Sequence, residues 1–364
     1  MKKNNINNTE VNNQFEYQKI KEFLNKLNED QNHIKSRDDI CTPMECVEKM
    51  INYIPNELWS RKDLKILDPC SGNGNFGAYC ATKTQLNNIY FNEISELRVD
   101  NCKELLNPPH LRCGDAFDLN DEFNIKYDLI LANPPYSGGG NKNRSLSNKF
   151  IEYSIDLLKD NGYLCFITPN NWMSFNNHNT TLKKLLKNGS FIVIDNDVKR
   201  YFNKVGSSFC VFVWQKGIFD HKTTVYNSFL KKDIQENVVI YPSLPFIPLY
   251  ISQETLDLVQ LLIHKDPTGF KYRCDLHNFT KSILLSDNQD QEFKYPTIHT
   301  IKQIRYAKIK QDIFDKYLII VPLSTYFLPF ITTNFNVTQS VGFYQFDDKK
   351  RSRIFFKNSK ARYI

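Results

Sequence analysis

Residues 64–76, Leu-Lys-Ile-Leu-Asp-Pro-Cys-Ser-Gly-Asn-Gly-Asn-Phe, join a short apolar run to a glycine-containing turn. The run Leu64–Leu67 predicts a buried strand that ends at Asp68, and the residues after Gly74 predict a helix. Glycine accepts positive φ and lets a ligand approach the backbone closely, so this turn is a candidate binding loop. Turns of this composition are also common in loops without function, so the strands that follow must support the interpretation.

The change from an apolar run to an amphipathic stretch recurs as far as Trp214. Further predicted strands are Ile89–Asn92, Tyr127–Leu131, Gly162–Thr168, Phe191–Ile194 and Ser208–Trp214. Helical spacing of apolar residues predicts helices at Phe15–Leu27, after Thr42-Pro43 and at Asn148–Leu158. Strands that alternate with helices predict an α/β fold with a mostly parallel sheet covered on both sides.

The alternation stops after Gly217. Beyond it, the sequence predicts Pro-containing β-like stretches, one helix near Gln253–Leu262 and aromatic strands around Tyr317–Phe346. We therefore expect three parts: a disordered lead-in over residues 1–14, a main α/β domain over 15–220 and a mixed α/β domain over 221–364.

The charge is placed unevenly. The chain carries a formal net charge of +7, and residues 301–364 contain twelve Lys or Arg against four Asp. Such a segment suits a polyanionic partner, although a solvated basic tail explains it equally well. The nine cysteines are scattered without metal-ligand spacing, which indicates reduced thiols and no metal. No signal peptide and no apolar stretch of roughly 20 residues is present, so we expect a cytoplasmic protein without a membrane partner.

Carboxylates follow the predicted strands at their C-terminal ends. Glu93 ends the second strand, where a carboxylate can hold a ribose hydroxyl pair. Asp115 follows the next one, where it can accept a hydrogen bond from an adenine amino group. The glycine turn lacks the Gly-x-Gly-x-x-Gly pattern that binds a diphosphate. These features indicate a nucleoside cofactor without a diphosphate, such as the sulfonium S-adenosylmethionine.

Asn133-Pro134-Pro135-Tyr136 directly follows the apolar run Leu129–Ala132. An Asn side-chain oxygen and a rigidly held proline carbonyl can each accept one hydrogen of the adenine amino group, which directs the nitrogen lone pair at an electrophile. Tyr136 offers a face on which an unstacked base can lie. A structural turn could use two prolines, but few structural reasons place this tetrapeptide at the end of a buried strand.

Together these motifs resemble the gamma-type adenine-specific DNA methyltransferases, over roughly residues 40–216. The resemblance implies a Rossmann-like class I methyltransferase domain with a mostly parallel seven-stranded sheet, followed by a C-terminal target-recognition domain. It implies S-adenosylmethionine as cofactor, no metal, double-stranded DNA as partner and methyl transfer to the amino group of a flipped adenine. The final domain departs from the family, because it is short for a recognition domain and cannot be aligned with it.

The resemblance also assigns roles to single residues. Asn133, Pro134, Pro135 and Tyr136 correspond to the catalytic loop. Tyr136 and Phe202 correspond to aromatic residues on the two faces of the target base, although Phe202 could equally be a core residue and Tyr201 is adjacent. Residues 137–147 correspond to a mobile loop near phosphate, and 168–172 to a wall of the target pocket. The implied cofactor-binding positions are Thr42, Asp68, Cys70, Ser71, Gly72, Gly74, Glu93, Ile94, Asp115 and Ala116.

Several alternatives stay open. The same tetrapeptide occurs in protein glutamine methyltransferases and RNA adenine methyltransferases, and cytosine amino-group enzymes share its geometry. Thr42-Pro43 and the long basic C-terminal part favour DNA, and Asn rather than Ser at position 133 favours adenine. The intact tetrapeptide argues against a catalytically silent DNA-binding subunit. We further expect a monomer or weak dimer in a bacterial cytosol or virus-infected cell, with a separate restriction endonuclease as a possible partner.

Overall fold

A computed structural model describes most of the chain. The described residues are 8–29, 41–119, 123–136, 146–174, 180–202, 208–220, 222–227, 233–264, 272–273, 284–300, 303–322 and 330–360. Two compact units divide it, Met1–Ile263 and His264–Ile364. The first unit extends beyond residue 220, where we expected the main domain to end, because two later strands join its sheet.

The helices that begin in the first unit are α1 (Asn8–Glu29), α2 (Met44–Asn52), α3 (Asn56–Trp59), α4 (Asn75–Cys80), α5 (Glu96–Leu106), α6 (Leu146–Leu157), α7 (Thr180–Asn188) and α8 (Gln253–His264). Helix α1 starts inside the segment expected to be a disordered lead-in, residues 1–14. Once Tyr17 and Leu24 are buried, each residue added to the helix gains a backbone hydrogen bond, which favours the extension. Residues 1–7 lie outside the described residues. Within the described ranges, no helix is long and apolar enough to cross a membrane.

A nine-stranded sheet forms the core of the first unit, in the order β3-β2-β1-β4-β5-β7-β6-β8-β9. Its strands are β1 (Ile66–Asp68), β2 (Ile89–Glu93), β3 (His110–Cys113), β4 (Tyr127–Ala132), β5 (Leu158–Pro169), β6 (Gly189–Asp195), β7 (Phe209–Lys216), β8 (Lys222–Asn227) and β9 (Asp233–Val239). Strands β1 to β5 pair in parallel, and β7 runs antiparallel to both β5 and β6. Strand β8 pairs in parallel with β6, and β9 antiparallel with β8. The sheet thus has two strands more than the seven expected.

Alternate side chains of the central strands enter different cores. Phe166 on β5 and Phe212 on β7 belong to one hydrophobic cluster, which includes Phe150 of α6. Their neighbours Ile167 and Val211 belong to a second cluster, which includes residues of α2 and α4. Because successive side chains of a strand point to opposite faces, helices cover both faces of this sheet.

The second unit contains two four-stranded sheets. One has the order β10-β17-β14-β15 and the other β11-β13-β12-β16. The strands are β10 (Tyr272–Arg273), β11 (Leu285–Ser286), β12 (Tyr295–Thr300), β13 (Gln303–Ala307), β14 (Tyr317–Pro322), β15 (Phe330–Thr332), β16 (Asn336–Val337) and β17 (Val341–Phe346). Leu318, Ile320 and Phe343 are buried in the core of this unit. Helix α9 (Lys349–Lys360) packs against β14, β15 and β17.

Candidate cofactor and catalytic site

The loops that follow β1, β2, β3 and β4 surround a cavity of about 680 Å³. This volume lies within the range of small-molecule sites, about 300–1,000 Å³. The sequence-predicted residues that line it are Thr42, Cys70, Ser71, Gly72, Glu93, Ile94, Asp115, Ala116, Asn133 and Pro135. The predicted residues outside its lining are Asp68, Gly74, Pro134, Tyr136 and Phe202.

The turn after β1 needs glycine at two positions. Gly72 has φ +56° and Gly74 has φ +93°, both in the left-handed region. A Cβ on Gly74 would lie 2.9 Å from Leu106 Cδ1, whereas a Cβ on Gly72 would meet no atom within 4 Å. Gly74 therefore serves the packing of α4 against α5, and Gly72 leaves the backbone open towards the cavity.

Asp68 lies at the end of β1 with its carboxylate buried. Its Oδ1 accepts a hydrogen bond from the Cys70 amide at 3.4 Å. Burial raises the pKa of the Asp68 carboxyl well above its usual range, and the nearby charge of Glu93 raises it further. Among the described residues, the buried atoms without a hydrogen-bond partner include Asp68 Oδ2, Ser71 Oγ and Asn73 Nδ2. Because buried polar atoms are normally paired, their concentration on one loop indicates a polar ligand.

Glu93 holds the glycine turn in place. Its Oε2 accepts a hydrogen bond from the Gly72 amide at 2.8 Å, and its Oε1 accepts from the amides of Ile94 and Ser95 at 3.0 and 2.9 Å. The side chain of Ile94 is 71% exposed although it is large and apolar. Glu93 thus presents a carboxylate at the cavity wall beside an exposed apolar side chain.

Asn92 connects two of the loops, and the sequence analysis did not single it out. Its Nδ2 donates to the carbonyls of Pro69 and Gly114, each at 3.0 Å, and its Oδ1 accepts from Arg112 at 2.7 Å. The residue is buried. A polar side chain that ends the apolar run from Ile89 is the signal that could have identified it.

The far wall of the cavity combines a predicted loop with residues of α6 that were not predicted to belong to the site. Asp115 is exposed, and its Oδ1 accepts a hydrogen bond from the Phe117 amide at 2.9 Å. Phe117 and three residues of α6, Leu146, Lys149 and Phe150, also line the cavity. Lys149 Nζ lies 3.7 Å from the centre of the Phe117 ring, a cation–π contact. The α6 residues carry no motif, so no sequence pattern marks them as part of a site.

The tetrapeptide Asn133-Pro134-Pro135-Tyr136, predicted to be catalytic, begins directly after β4. Asn133 Nδ2 donates a 2.9 Å hydrogen bond to Thr42 Oγ1, and Asn133 Oδ1 accepts one of 2.6 Å from the Tyr136 hydroxyl. The Thr42 carbonyl accepts a third, of 2.9 Å, from Asn75 Nδ2 at the start of α4. Thr42 therefore joins the glycine turn that precedes α4 to the tetrapeptide after β4, which are far apart in sequence.

The two predicted stacking aromatics converge on a third ring. The Tyr136 and Phe202 rings lie 5.2 and 5.3 Å from the Phe209 ring. Burial raises the pKa of the half-buried Tyr136 hydroxyl. Phe202 is only 4% exposed and packs in the core, as the alternative interpretation expected. Its role in stacking stays a prediction.

Of two further predicted segments, the structure describes the pocket wall in full and the mobile loop only in part. Trp172 in the expected pocket wall is fully buried and donates to Thr168 Oγ1 at 3.2 Å, with its ring stacked on Phe191. Of the expected mobile loop, residues 137–145 lie outside the described residues. Across the described part of the chain, no group of three or more His, Cys, Asp or Glu could hold a metal ion.

Parts of the chain are similar to known methyltransferases. Residues 64–202 match the family model of the Eco57I restriction-modification methylase, which confirms the expected resemblance for this segment. The type II methyltransferase M.HincII of Haemophilus influenzae is 27% identical over 228 residues, 56% of this chain and 43% of that protein. The release factor glutamine methyltransferase of Mycoplasma mycoides subsp. mycoides SC is 31% identical over 134 residues, 35% of this chain and 47% of that protein. The matches thus cover less than half the length of each relative.

One solved structure shows a shared fold. The cryo-EM structure of a DrdV–DNA complex superposes with a TM-score of 0.65 at 12% identity. The superposition covers 91% of this chain and 52% of that chain.

Proposed function

We propose that this chain, whose residues 64–202 match the Eco57I restriction-modification methylase family, transfers a methyl group from S-adenosylmethionine to the exocyclic amino group of a flipped adenine in double-stranded DNA. One observation supports this most directly. Asn133, the group suited to accept hydrogens from an amine, lines the same cavity as the glycine turn and Glu93 and is tied to it through Thr42. A bound methyl donor and a target amine held by Asn133 would therefore meet in one cavity.

The cavity residues fit S-adenosylmethionine. Glu93 presents a carboxylate suited to the ribose hydroxyls, and Ile94 an exposed apolar surface suited to the face of the adenine. Ser71 and Asn73 line the cavity, and their unpaired Oγ and Nδ2 atoms suit the charged amino acid part, while the Asp68 carboxylate lies at the end of β1 directly before this turn. When bound, this cofactor supplies an electrophilic methyl group on a sulfonium.

The chain's own residues position the amine. Asn133 Oδ1 would accept one amine hydrogen in place of the Tyr136 hydroxyl that it accepts from in this structure. The Pro134 carbonyl would accept the second, because the proline ring limits the freedom of this backbone. Thr42 Oγ1 keeps the Asn133 amide in one orientation. Catalysis by these residues is mainly orientation of the nucleophile.

The deciding experiment is tritiated methyl transfer from S-adenosylmethionine to unmethylated duplex DNA, with the product digested to nucleosides. We expect label in 6-methyladenine with the wild-type protein. Asn133→Ala should reduce transfer by roughly a hundredfold or more while cofactor binding, measured by calorimetry, stays near wild type. Label in a cytosine product would change the target base, and loss of cofactor binding in Asn133→Ala would remove its proposed role.

A protein glutamine or an RNA adenine methyltransferase is the second candidate. The relation to a release factor glutamine methyltransferase, 31% identical over 134 residues, is the observation in favour of the former. The same assay with a release factor and with structured RNA in place of DNA separates these substrates. Incorporation there but not into DNA would replace the proposed substrate and keep the proposed cofactor.

A further inference from the structure

The first two turns of α9 carry positive charge without local compensation. Lys349, Lys350 and Arg353 are exposed. Among the residues that the structure describes, none of these three has an acidic partner within 4.0 Å. Arg351 lies between them in the sequence, and its side chain makes a long contact, 3.6 Å, with Asp348.

The cations on the strands and loops of the same unit, in contrast, form ion pairs. Lys310 pairs with Asp315 and Lys316 with Asp347, each at 2.7 Å. Further pairs within this unit are Arg273–Asp312, Arg305–Asp287 and Lys308–Glu292. The nearby acids are therefore engaged by other cations, and the positive charge of the α9 surface stays available to a partner.

The stability of the helix does not account for this charge. Lys349 and Lys350 occupy the first turn, where the positive end of the helix dipole disfavours cations. Lys349 and Arg353 are four residues apart, so their like charges face each other along the helix. These side chains do not stabilise α9, which favours a role in binding a partner.

The orientation of this surface is fixed by the rest of the unit. Ser352 is fully buried, and α9 packs against β14, β15 and β17. The amide of Arg351 donates a 2.8 Å hydrogen bond to Asp348 Oδ1, which caps the helix start. The three cations therefore form a fixed face.

We propose that the α9 face, defined by Lys349, Lys350 and Arg353, binds the phosphate backbone of double-stranded DNA. The inference rests on the proposed function, because it concerns how the DNA substrate is held. Duplex DNA carries one negative charge per about 1.7 Å of its axis, which suits closely spaced cations. Contacts of this kind position a duplex without reading its sequence.

The test compares two triple variants with equal loss of charge. One is Lys349→Gln, Lys350→Gln and Arg353→Gln; the matched control is Lys308→Gln, Lys310→Gln and Lys316→Gln, in which each lysine has an acidic partner. Binding of a fluorescent duplex is measured by anisotropy over a series of salt concentrations. Each lost phosphate contact lowers the slope of log affinity against log salt by about 0.9.

We expect the α9 variant to lose about 2–3 units of slope and at least tenfold in affinity near 0.1 M salt, and the control to stay close to wild type. The melting temperature of the α9 variant should not fall, because repulsion between like charges within α9 is relieved. An unchanged slope, or an equal loss in both variants, would overturn the assignment, and so would a wild type that does not bind duplex DNA. Methyl transfer to DNA by the wild type, assayed separately at low salt, shows whether the proposed function itself stands.

Discussion

Asn133 and Thr42 are 91 residues apart in the sequence, yet Asn133 Nδ2 donates a 2.9 Å hydrogen bond to Thr42 Oγ1. The Thr42 carbonyl also accepts from Asn75, so Thr42, which lies shortly before α2, holds both the Asn133 amide and the start of α4. The resemblance assigned Thr42 to the cofactor. Its contacts add a role in holding the group that would orient the target amine.

Replacement of the Thr42 hydroxyl should therefore slow methyl transfer. Thr42→Val keeps the shape and removes the acceptor, and we expect single-turnover transfer at saturating S-adenosylmethionine to fall about tenfold, equivalent to about 1.4 kcal/mol. Thr42→Ser restores the oxygen and should recover most of the rate. A Thr42→Val protein that shows only weaker cofactor binding, with an unchanged rate at saturation, would contradict the role in orienting Asn133.

The Tyr136 ring and hydroxyl should have separable effects. Tyr136→Phe keeps the ring and removes the hydroxyl that donates to Asn133, so a target base should still be held outside the helix. Tyr136→Ala removes the stacking surface and should weaken binding of the flipped base by about 1–3 kcal/mol. Fluorescence of 2-aminopurine at the target position measures this. Equal fluorescence in the wild-type and Tyr136→Ala complexes would argue against stacking.

Cofactor affinity should depend on pH through Asp68. Burial raises the pKa of this carboxyl well above its usual 3.8, and a cationic ligand would favour its ionised form. Affinity for S-adenosylmethionine should therefore rise with pH until the pKa of ligand-free Asp68 is passed, and then level off. Calorimetry across a pH series should show this dependence, and Asp68→Asn should bind more weakly and without it. A pH profile shared by both proteins would assign the dependence to another group.

The same shift has a consequence for stability, with the opposite sign. Because the folded state raises the pKa of Asp68, the stability this group contributes is complete below its unfolded pKa and is lost as pH rises through the folded pKa. The ligand-free Asp68→Asn protein should therefore melt at a higher temperature than wild type at pH 8, although it binds cofactor less tightly.

An ion pair joins the end of β6 to α2. Asp195 is fully buried and accepts hydrogen bonds from Lys49 Nζ at 2.6 Å and the Tyr53 hydroxyl at 2.7 Å. Asp195→Ala leaves Lys49 without its partner and should cost about 3–5 kcal/mol of unfolding free energy, measured in urea. The matched control is Asp156→Ala, which breaks the more exposed 2.9 Å pair with Lys184 and should cost less than about 1 kcal/mol. Equal losses would show that burial does not set the cost.

The parts of the site that the sequence predicted are local. Asp68, Glu93 and Asn133 each mark the end of an apolar run, and each lies at or directly after the end of a strand. Because the carboxyl ends of neighbouring parallel strands meet at one edge of a sheet, local patterns were enough to bring these residues together.

The remaining parts depend on tertiary packing. Lys149 and Phe150 line the cavity because α6 lies across it, which no spacing in the sequence encodes. Phe202 follows a short 3-10 turn and packs against Phe209 on β7 within the hydrophobic core, a contact between segments that no local pattern predicts. Strands β8 and β9 were assigned to the second domain because the strand-helix alternation ends before them. In the structure β8 pairs with β6 and β9 pairs with β8, which places both in the main sheet.

The strand order also determines which parts of the sheet can form while the chain is being translated. Both neighbours of β6 in the sheet, β7 and β8, come after it in the chain, and residue 202, where the match to the methylase family ends, precedes them. During translation, β1 to β5 can pair in parallel as they leave the ribosome, while β6 has no partner until β7 is synthesised. The half of the sheet that bears the glycine turn and Asn133 can thus form on the nascent chain. The half that anchors Asp195 and Phe202 closes only after later residues emerge.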